Sequence, residues 1–300
     1  AGASSGGWTV IVLGCPATLW EFAILSVVSG ESGAKLKSVL ASIPLGALVD
    51  SKWLNRHQVA DSLYHDYAQR GWLKRLAHGV YLRPSSTDDP NRTLPWQVVT
   101  ASMHTIMEIP FHVGGTTALD LHGHRHYARM SGEDRVVLYA PKLPGWLSKI
   151  DVDARFEARS LNLFSDADLG VEPLDGRAFG FGADASFPVS APERAILEAL
   201  DELPNGAGFD QIDMVFQGLV NVRPRTLMAL LTTCRKVKVV RLFFVFADRH
   251  QHAWLKHLDK SKLNFGQGDR QLVKGGKIHP TYRITVPAGI VTTERETDEA

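Results

Sequence analysis

The sequence predicts an α+β protein in two unequal parts, a small helix-rich unit followed by a larger mixed domain. Three observations carry the prediction. Apolar residues recur every three or four positions in some stretches and every second position in others, the signatures of helix and strand faces. The 300 residues exceed what one hydrophobic core comfortably serves, so two or three modules are expected. Charge also changes sign along the chain. Residues 31–83 hold eight Lys and Arg against four Asp and Glu, residues 84–220 ten against twenty, and residues 221–283 fourteen against three. Two basic segments therefore flank an acidic one beneath a net charge of +1. Clustered charge makes a local field whatever the total, so nucleic acid remains a candidate partner.

Residues 8–28 form an apolar run broken by Pro16 and Glu21, and no Lys or Arg precedes Lys35. A signal peptide starts with basic residues and a membrane span carries a basic flank. Residues 1–30 are therefore expected to be a non-native or loosely attached extension, with a membrane anchor as the lesser alternative, and no membrane is expected as a partner. Two cysteines, Cys15 and Cys234, are too few for a disulfide framework and point to a reducing cytoplasm.

The small unit spans residues 31–84. Leu36, Val39, Leu40 and Ile43 mark an amphipathic helix over 34–43 that Pro44 ends. A short extended piece covers 47–49, and Asp50 or Ser51 caps a second helix through Trp53 and Leu54. A third helix runs over 59–70 with Val59, Leu63 and Tyr67 inward, and Gly71 stops it. Residues 72–84 form two short strands around a His78-Gly79 turn. Helix, short helix, helix and basic hairpin is the order of a winged helix-turn-helix. In that fold the third helix enters a major groove and the hairpin lies against the backbone or minor groove. Ser62, His65 and Gln69 on the exposed side of the third helix are types that read base edges. Gln58, in the turn before it, is also expected to contact DNA, and Arg56, Lys74, Arg75 and His78 would meet phosphates. The same elements also describe a plain helical cap with a solvated hairpin.

The larger domain spans 92–287. Helices are expected over 94–107 and after Gly114-Gly115, with Gly123 as the stop of the second. Strands are expected over 133–141, 154–164 and, once or twice, 172–187. Ser190 and Glu193 have capping-box spacing ahead of a helix over 190–200. Helices over 209–219, 225–234 and 237–257 follow, then extended pieces between glycine turns, and an acidic tail within 288–300. The C-terminal segment is rich in cations, among them Arg235, Lys236, Lys238, Arg241, Arg270, Lys274 and Lys277. They suit a phosphate-facing surface better than catalysis, because Lys274-Gly275-Gly276 lacks the order of a phosphate-binding loop.

HVGGTTALDLHGHRHY (112–127) concentrates four histidines. On a strand His122, His124 and His126 would share one side, but Gly123 breaks a strand. Histidines bonded to backbone carbonyls are the expectation, with no metal or cofactor. Gly114-Gly115 ahead of a helix could cradle an anion, since free N–H groups point outward there.

KSVLASIPLGALVDSKWL (37–54), YAQRGWLKRLAHGVYLRP (67–84), HVGGTTALDLHGHRHY, PERAILEALDELP (192–204) and NFGQGDRQLVKGGKIHPTYRITVP (264–287) together resemble the AbiEi antitoxins of type IV toxin–antitoxin pairs. The resemblance covers about residues 35–287 and implies an N-terminal winged helix-turn-helix and a C-terminal α+β antitoxin domain. It implies a protein without enzymatic activity, part of an abortive-infection phage defence. Such a protein binds double-stranded operator DNA at inverted repeats and represses its own operon. It counters a nucleotidyltransferase toxin without a stable complex, and the C-terminal half is the part associated with antitoxicity. A dimer on DNA and a contact with RNA stay open. One departure is visible: the family's Gly-Ile-Ser-like turn is Gln58-Val59-Ala60 here, which removes a tight-turn glycine and a capping hydroxyl. Asp61 or Ser62 would then cap instead. The alternative reading is a nucleic-acid-processing or metal-dependent enzyme using His122, His124 and His126 with the basic C-terminal half.

Overall fold

A computed structural model describes residues 38–85, 93–124, 134–175, 186–206 and 208–291. The N-terminal extension 1–30 and most of the acidic tail lie outside the described residues. The chain divides after Pro44 into two units. In the first, residues 38–41 are helical. The Ser42 amide donates to Ser38 O and that of Ile43 to Leu40 O, both at 3.2 Å.

The second unit opens with β1 (Leu48–Asp50), α1 (Ser51–Arg56), α2 (Asp61–Gln69) and the hairpin β2 (Lys74–Ala77) and β3 (Val80–Leu82). The sheet order is β1-β3-β2, all antiparallel, with Leu48 opposite Leu82 and Asp50 opposite Val80. Every residue of β1 and β3 is buried, whereas Lys74 and Arg75 on the edge strand β2 are exposed. Helix 38–41, β1, α1, α2 and hairpin is the chain order of a winged helix-turn-helix. A further helix, α3 (Trp96–Thr105), backs this sheet. Ser102 Oγ accepts from the buried Leu48 amide at 3.0 Å, and Leu48, Val80 and Leu82 share one apolar cluster with Trp96, Val99 and Met103.

The larger sheet has the order β6-β5-β4-β8-β7, built from β4 (His112–Val113), β5 (Asp134–Tyr139), β6 (Ala154–Arg159), β7 (Val171–Asp175) and β8 (Ser186–Ser190). It is mixed: β5 with β6 and β4 with β8 are parallel, β4 with β5 and β7 with β8 antiparallel. Helix α4 (Gly115–Leu121) packs on α5 (Pro192–Glu202), which also meets α7 (Pro224–Thr233) and α8 (Val237–His250). Helix α6 (Phe209–Gly218) lies against α8. Phe243, Phe244 and Phe246 of α8 are 0% exposed, so the helix is the apolar spine of the domain. A two-stranded piece, β9 (Lys277–Ile278) with β10 (Thr285–Val286), completes the fold.

Several expectations are corrected. Helix α2 starts at Asp61; Val59 is buried in the preceding turn, and the inward residues of the helix are Tyr64 and Tyr67. Neither Asp61 nor Ser62 caps it, because Ala60 occupies the cap position without a side-chain bond. The strand expected over 154–164 ends at Arg159. The capping box does not form. Ala191 is the cap of α5 with Pro192 in the first turn, Ser190 belongs to β8, and both Ser190 and Glu193 have tertiary partners described below. The long last helix stops at His250, where Gln251 turns left-handed with φ 52°. The chain reverses so that Trp254 Nε1 donates to Leu219 O at 2.7 Å. Among the described residues no helix is long and apolar enough to cross a membrane.

Candidate nucleic-acid interface

Asp50 Oδ1 accepts from the Trp53 amide at 2.8 Å, which caps α1 and fixes where the first helix of the pair starts. At its other end His57 stacks on Trp53 with ring centroids 3.8 Å apart. Gln58 then takes φ 57°, the left-handed conformation for which glycine is the usual residue. Its amide donates to Asn55 O at 2.9 Å and that of Val59 to Leu54 O at 3.0 Å. Turned so that its amide nitrogen faces acceptors, the Asn55 side chain donates to Val59 O at 3.2 Å and Asp61 Oδ1 at 3.1 Å and also meets the Tyr64 hydroxyl. The tight turn therefore survives the loss of glycine and capping hydroxyl: Gln58 adopts the backbone conformation and Asn55 supplies the cross-links. Burial and the neighbouring Asp61 push the Tyr64 hydroxyl well above its ordinary pKa, so it stays a neutral donor.

With Tyr64 and Tyr67 inward, α2 turns Asp61, Ser62, His65, Asp66 and Gln69 to solvent. His65 Nε2 and Gln69 Nε2 lie 2.8 Å apart, one helical turn along the same face. The hairpin presents Lys74, Arg75 and His78, all exposed, and Gly79 turns it at φ 77°. Arg56 departs from this group. Its Nη1 is 2.5 Å from Glu108 Oε2 and its Nη2 donates to Met107 O at 3.2 Å, so it reaches the corner after α3.

The C-terminal cations separate into two kinds. Lys236 Nζ lies 2.6 Å from Asp201 Oδ2, while Lys238 Nζ donates to Asp201 O at 2.5 Å and Leu203 O at 3.1 Å. Both complement the C-terminal end of α5, where carbonyls lack helical partners. Arg241 does not belong to a surface: it is 3% exposed and donates to the carbonyls of Phe265, Gly268 and Arg283 at 2.6–2.9 Å. Burial, then the nearby Arg270, lowers its pKa. Arg235 is exposed, its amide 2.9 Å from Leu163 O. Arg270, Lys274 and Lys277 are exposed.

The histidine-rich stretch folds inward. His112 is 3% exposed; its Nε2 lies 2.9 Å from Glu198 Oε1 and its ring stacks on Tyr139. Glu198 also accepts from Ser190 Oγ at 2.8 Å, Gly115 N at 3.0 Å and Arg194 Nε at 2.8 Å. Burial pushes its carboxyl up, but the His112 and Arg194 partners outweigh that and hold it below the ordinary value. A Cβ on Gly114 would lie 2.3 Å from Glu198 Oε2 and 2.6 Å from the Tyr139 ring, so only glycine fits. The anion at the Gly-Gly turn is the chain's own Glu198. His122 Nε2 lies 3.0 Å from Ser190 O, His124 is half-buried, and His126 lies outside the described residues. Among the described residues no three His, Cys, Asp or Glu side chains gather as a metal would require. The sequence reading overlooked Asn55 and Glu108. Asn55 carried a turn-residue signal, while Glu108 carried none.

Two family models match the chain. One, described as a transcriptional regulator, AbiEi antitoxin N-terminal domain, covers residues 32–130. The other, described as a transcriptional regulator, AbiEi antitoxin, type IV TA system, covers residues 133–287. No curated protein matches. Among solved structures the fold is similar to the crystal structure of RV2827C protein from Mycobacterium tuberculosis, with a TM-score of 0.54 and 13% identity over 86% of this chain and 92% of that one. The chain belongs to the AbiEi family of type IV antitoxin transcriptional regulators.

Proposed function

We propose that the protein is an autorepressing antitoxin without enzymatic activity, acting in the cytoplasm. Its N-terminal unit binds operator DNA upstream of its own operon, two copies sitting on inverted repeats, and its C-terminal domain counters a nucleotidyltransferase toxin without a stable complex. One observation carries the DNA reading. Helix α2 offers Ser62, His65 and Gln69 to solvent, all of which can exchange hydrogen bonds with base edges. Next to it in the fold, the hairpin offers Lys74, Arg75 and His78, which suit phosphates. The exposed Arg235, Arg270, Lys274 and Lys277 are the cations best placed for antitoxicity, through a phosphate surface that an RNA target would also offer.

A mobility shift with the duplex upstream of the gene tests the first half. The expected result is a specific shift that weakens steeply with salt and is lost in a Ser62→Ala/Gln69→Ala variant. A folded protein that leaves this duplex unshifted at low ionic strength sinks the proposal. Co-expression with the toxin tests the second half: reversing the charge at Arg270, Lys274 and Lys277 should abolish rescue of growth.

A further inference from the structure

Polar contacts of two kinds join the winged unit to α3 and the corner after it. The Leu48 amide on Ser102 Oγ is buried, and breaking it would strand that amide, while Ser102 Oγ keeps its bond to Val98 O at 2.8 Å. The Arg56 clasp is open to water, with the Arg56 and Glu108 side chains 49% and 70% exposed. An ion pair so exposed is weak and a stronger partner can replace it.

We propose that Glu108 is a built-in competitor for the DNA backbone: it occupies Arg56 in the free protein, and a phosphate displaces it on binding. This rests on the DNA reading proposed above. Arg56 is the last residue of α1, followed by the exposed His57 and Gln58 of the turn. In a helix-turn-helix this first helix crosses the phosphate backbone while the second enters the groove. A guanidinium is a forked donor suited to carboxylate or phosphate alike. Here both terminal nitrogens already face protein, one on Glu108 and one on Met107 O, so a phosphate gains them only by exchange.

The Glu108 backbone supports a dedicated role. Its φ of 57° is one that residues other than glycine seldom hold, and such outliers motivate a functional hypothesis. The flanking amides of Met107 and Ile109 donate to Ser102 O and Met103 O at 3.0 and 2.9 Å, so the carboxylate is presented from a fixed corner. The corner after α3 thereby sets the affinity of the reader through one side chain.

The test uses the full-length protein and fluorescence anisotropy with a generic labelled duplex of mixed sequence across a salt series. Glu108→Gln should bind several-fold tighter at low ionic strength, and its log-affinity against log-salt slope should steepen by about one. In an Arg56→Ala background the same substitution should change nothing, which separates release of Arg56 from the mere loss of a negative charge. Binding by Glu108→Gln alone, with the parent silent, also supports the proposal. Unchanged or weaker binding by Glu108→Gln, an equal gain in the Arg56→Ala background, or no binding by either protein overturns it. Selectivity for the upstream duplex is a separate readout. Its absence beside an Arg56-dependent gain on generic DNA would sink the operator reading and leave the clasp standing.

Discussion

His112 Nε2 lies 2.9 Å from Glu198 Oε1, and neither residue is more than 3% exposed. This contact organises the center of the larger domain. It links β4 to α5, and the same carboxylate takes the amide that opens α4 and the hydroxyl that ends β8. Four elements thus meet on one side chain. Removing one partner of such a group leaves the rest of a buried charge undercompensated, so His112→Ala should lower stability by about 3 kcal/mol, read from urea melts.

The acid limb of stability should depend on Glu198. Its folded pKa lies below the ordinary value, so it contributes stability that is present above the unfolded carboxylate pKa of about 4.3 and is lost as pH falls through the folded value. Glu198→Gln should therefore be less stable than the parent at neutral pH, and the gap should close on acidification. A gap that stays constant from neutral to strongly acidic pH would show that Glu198 is not held in its charged form.

Glycines in the same stretch should differ in cost for different reasons. Gly114→Ala forces a methyl against Glu198 and the Tyr139 ring, neither of which has room to move, and should cost about 3 kcal/mol or more. Gly123 has open space but a φ of 83°, so Gly123→Ala should cost only about 1 kcal/mol of backbone strain. Gln58 is the reverse case. It already holds a left-handed conformation, so Gln58→Gly should be neutral or stabilising by up to about 1 kcal/mol. Thermal melts of the three variants give the order directly.

Local chemistry made much of this legible. Asp50 caps because an extended residue before Trp53 leaves an amide to fill; Gly71 and Gly123 stop helices because each adopts positive φ; His78-Gly79 turns the hairpin where two apolar runs meet. Of the inward set expected for the third helix, Val59, Leu63 and Tyr67, only Tyr67 is buried within the helix, yet with Tyr64 beside it Ser62, His65 and Gln69 still lie outside. What failed was local logic applied where tertiary partners compete. Ser190 and Glu193 have capping-box spacing, yet Ser190 Oγ goes to Glu198 and Glu193 to Arg223, 2.8 Å from its Nη2. The helix expected through 237–257 breaks at Gln251, and Trp254 then finds Leu219 O just past the end of α6. Arg56 and Glu108, 52 positions apart, share no sequence pattern at all.

The charge blocks misled in an instructive way. Four of the fourteen cations in 221–283 are turned to the acidic middle: Arg223 pairs with Glu172 and Glu193, Lys236 and Lys238 with Asp201, and Arg249 with Asp213. The two opposite segments are each other's counterions, so a sum over sequence overstates the field that reaches solvent. Stability should therefore sort the cations where composition cannot. Arg241→Met strands three carbonyls that a guanidinium now satisfies and should cost about 2–4 kcal/mol. Lys274→Glu with Lys277→Glu touches exposed side chains and should stay within about 0.5 kcal/mol of the parent. If antitoxicity falls in the second variant while its melt is unchanged, the loss belongs to the surface. If it falls only in variants that also unfold, as Arg241→Met should, the basic segment acts through the fold and the phosphate-surface reading fails.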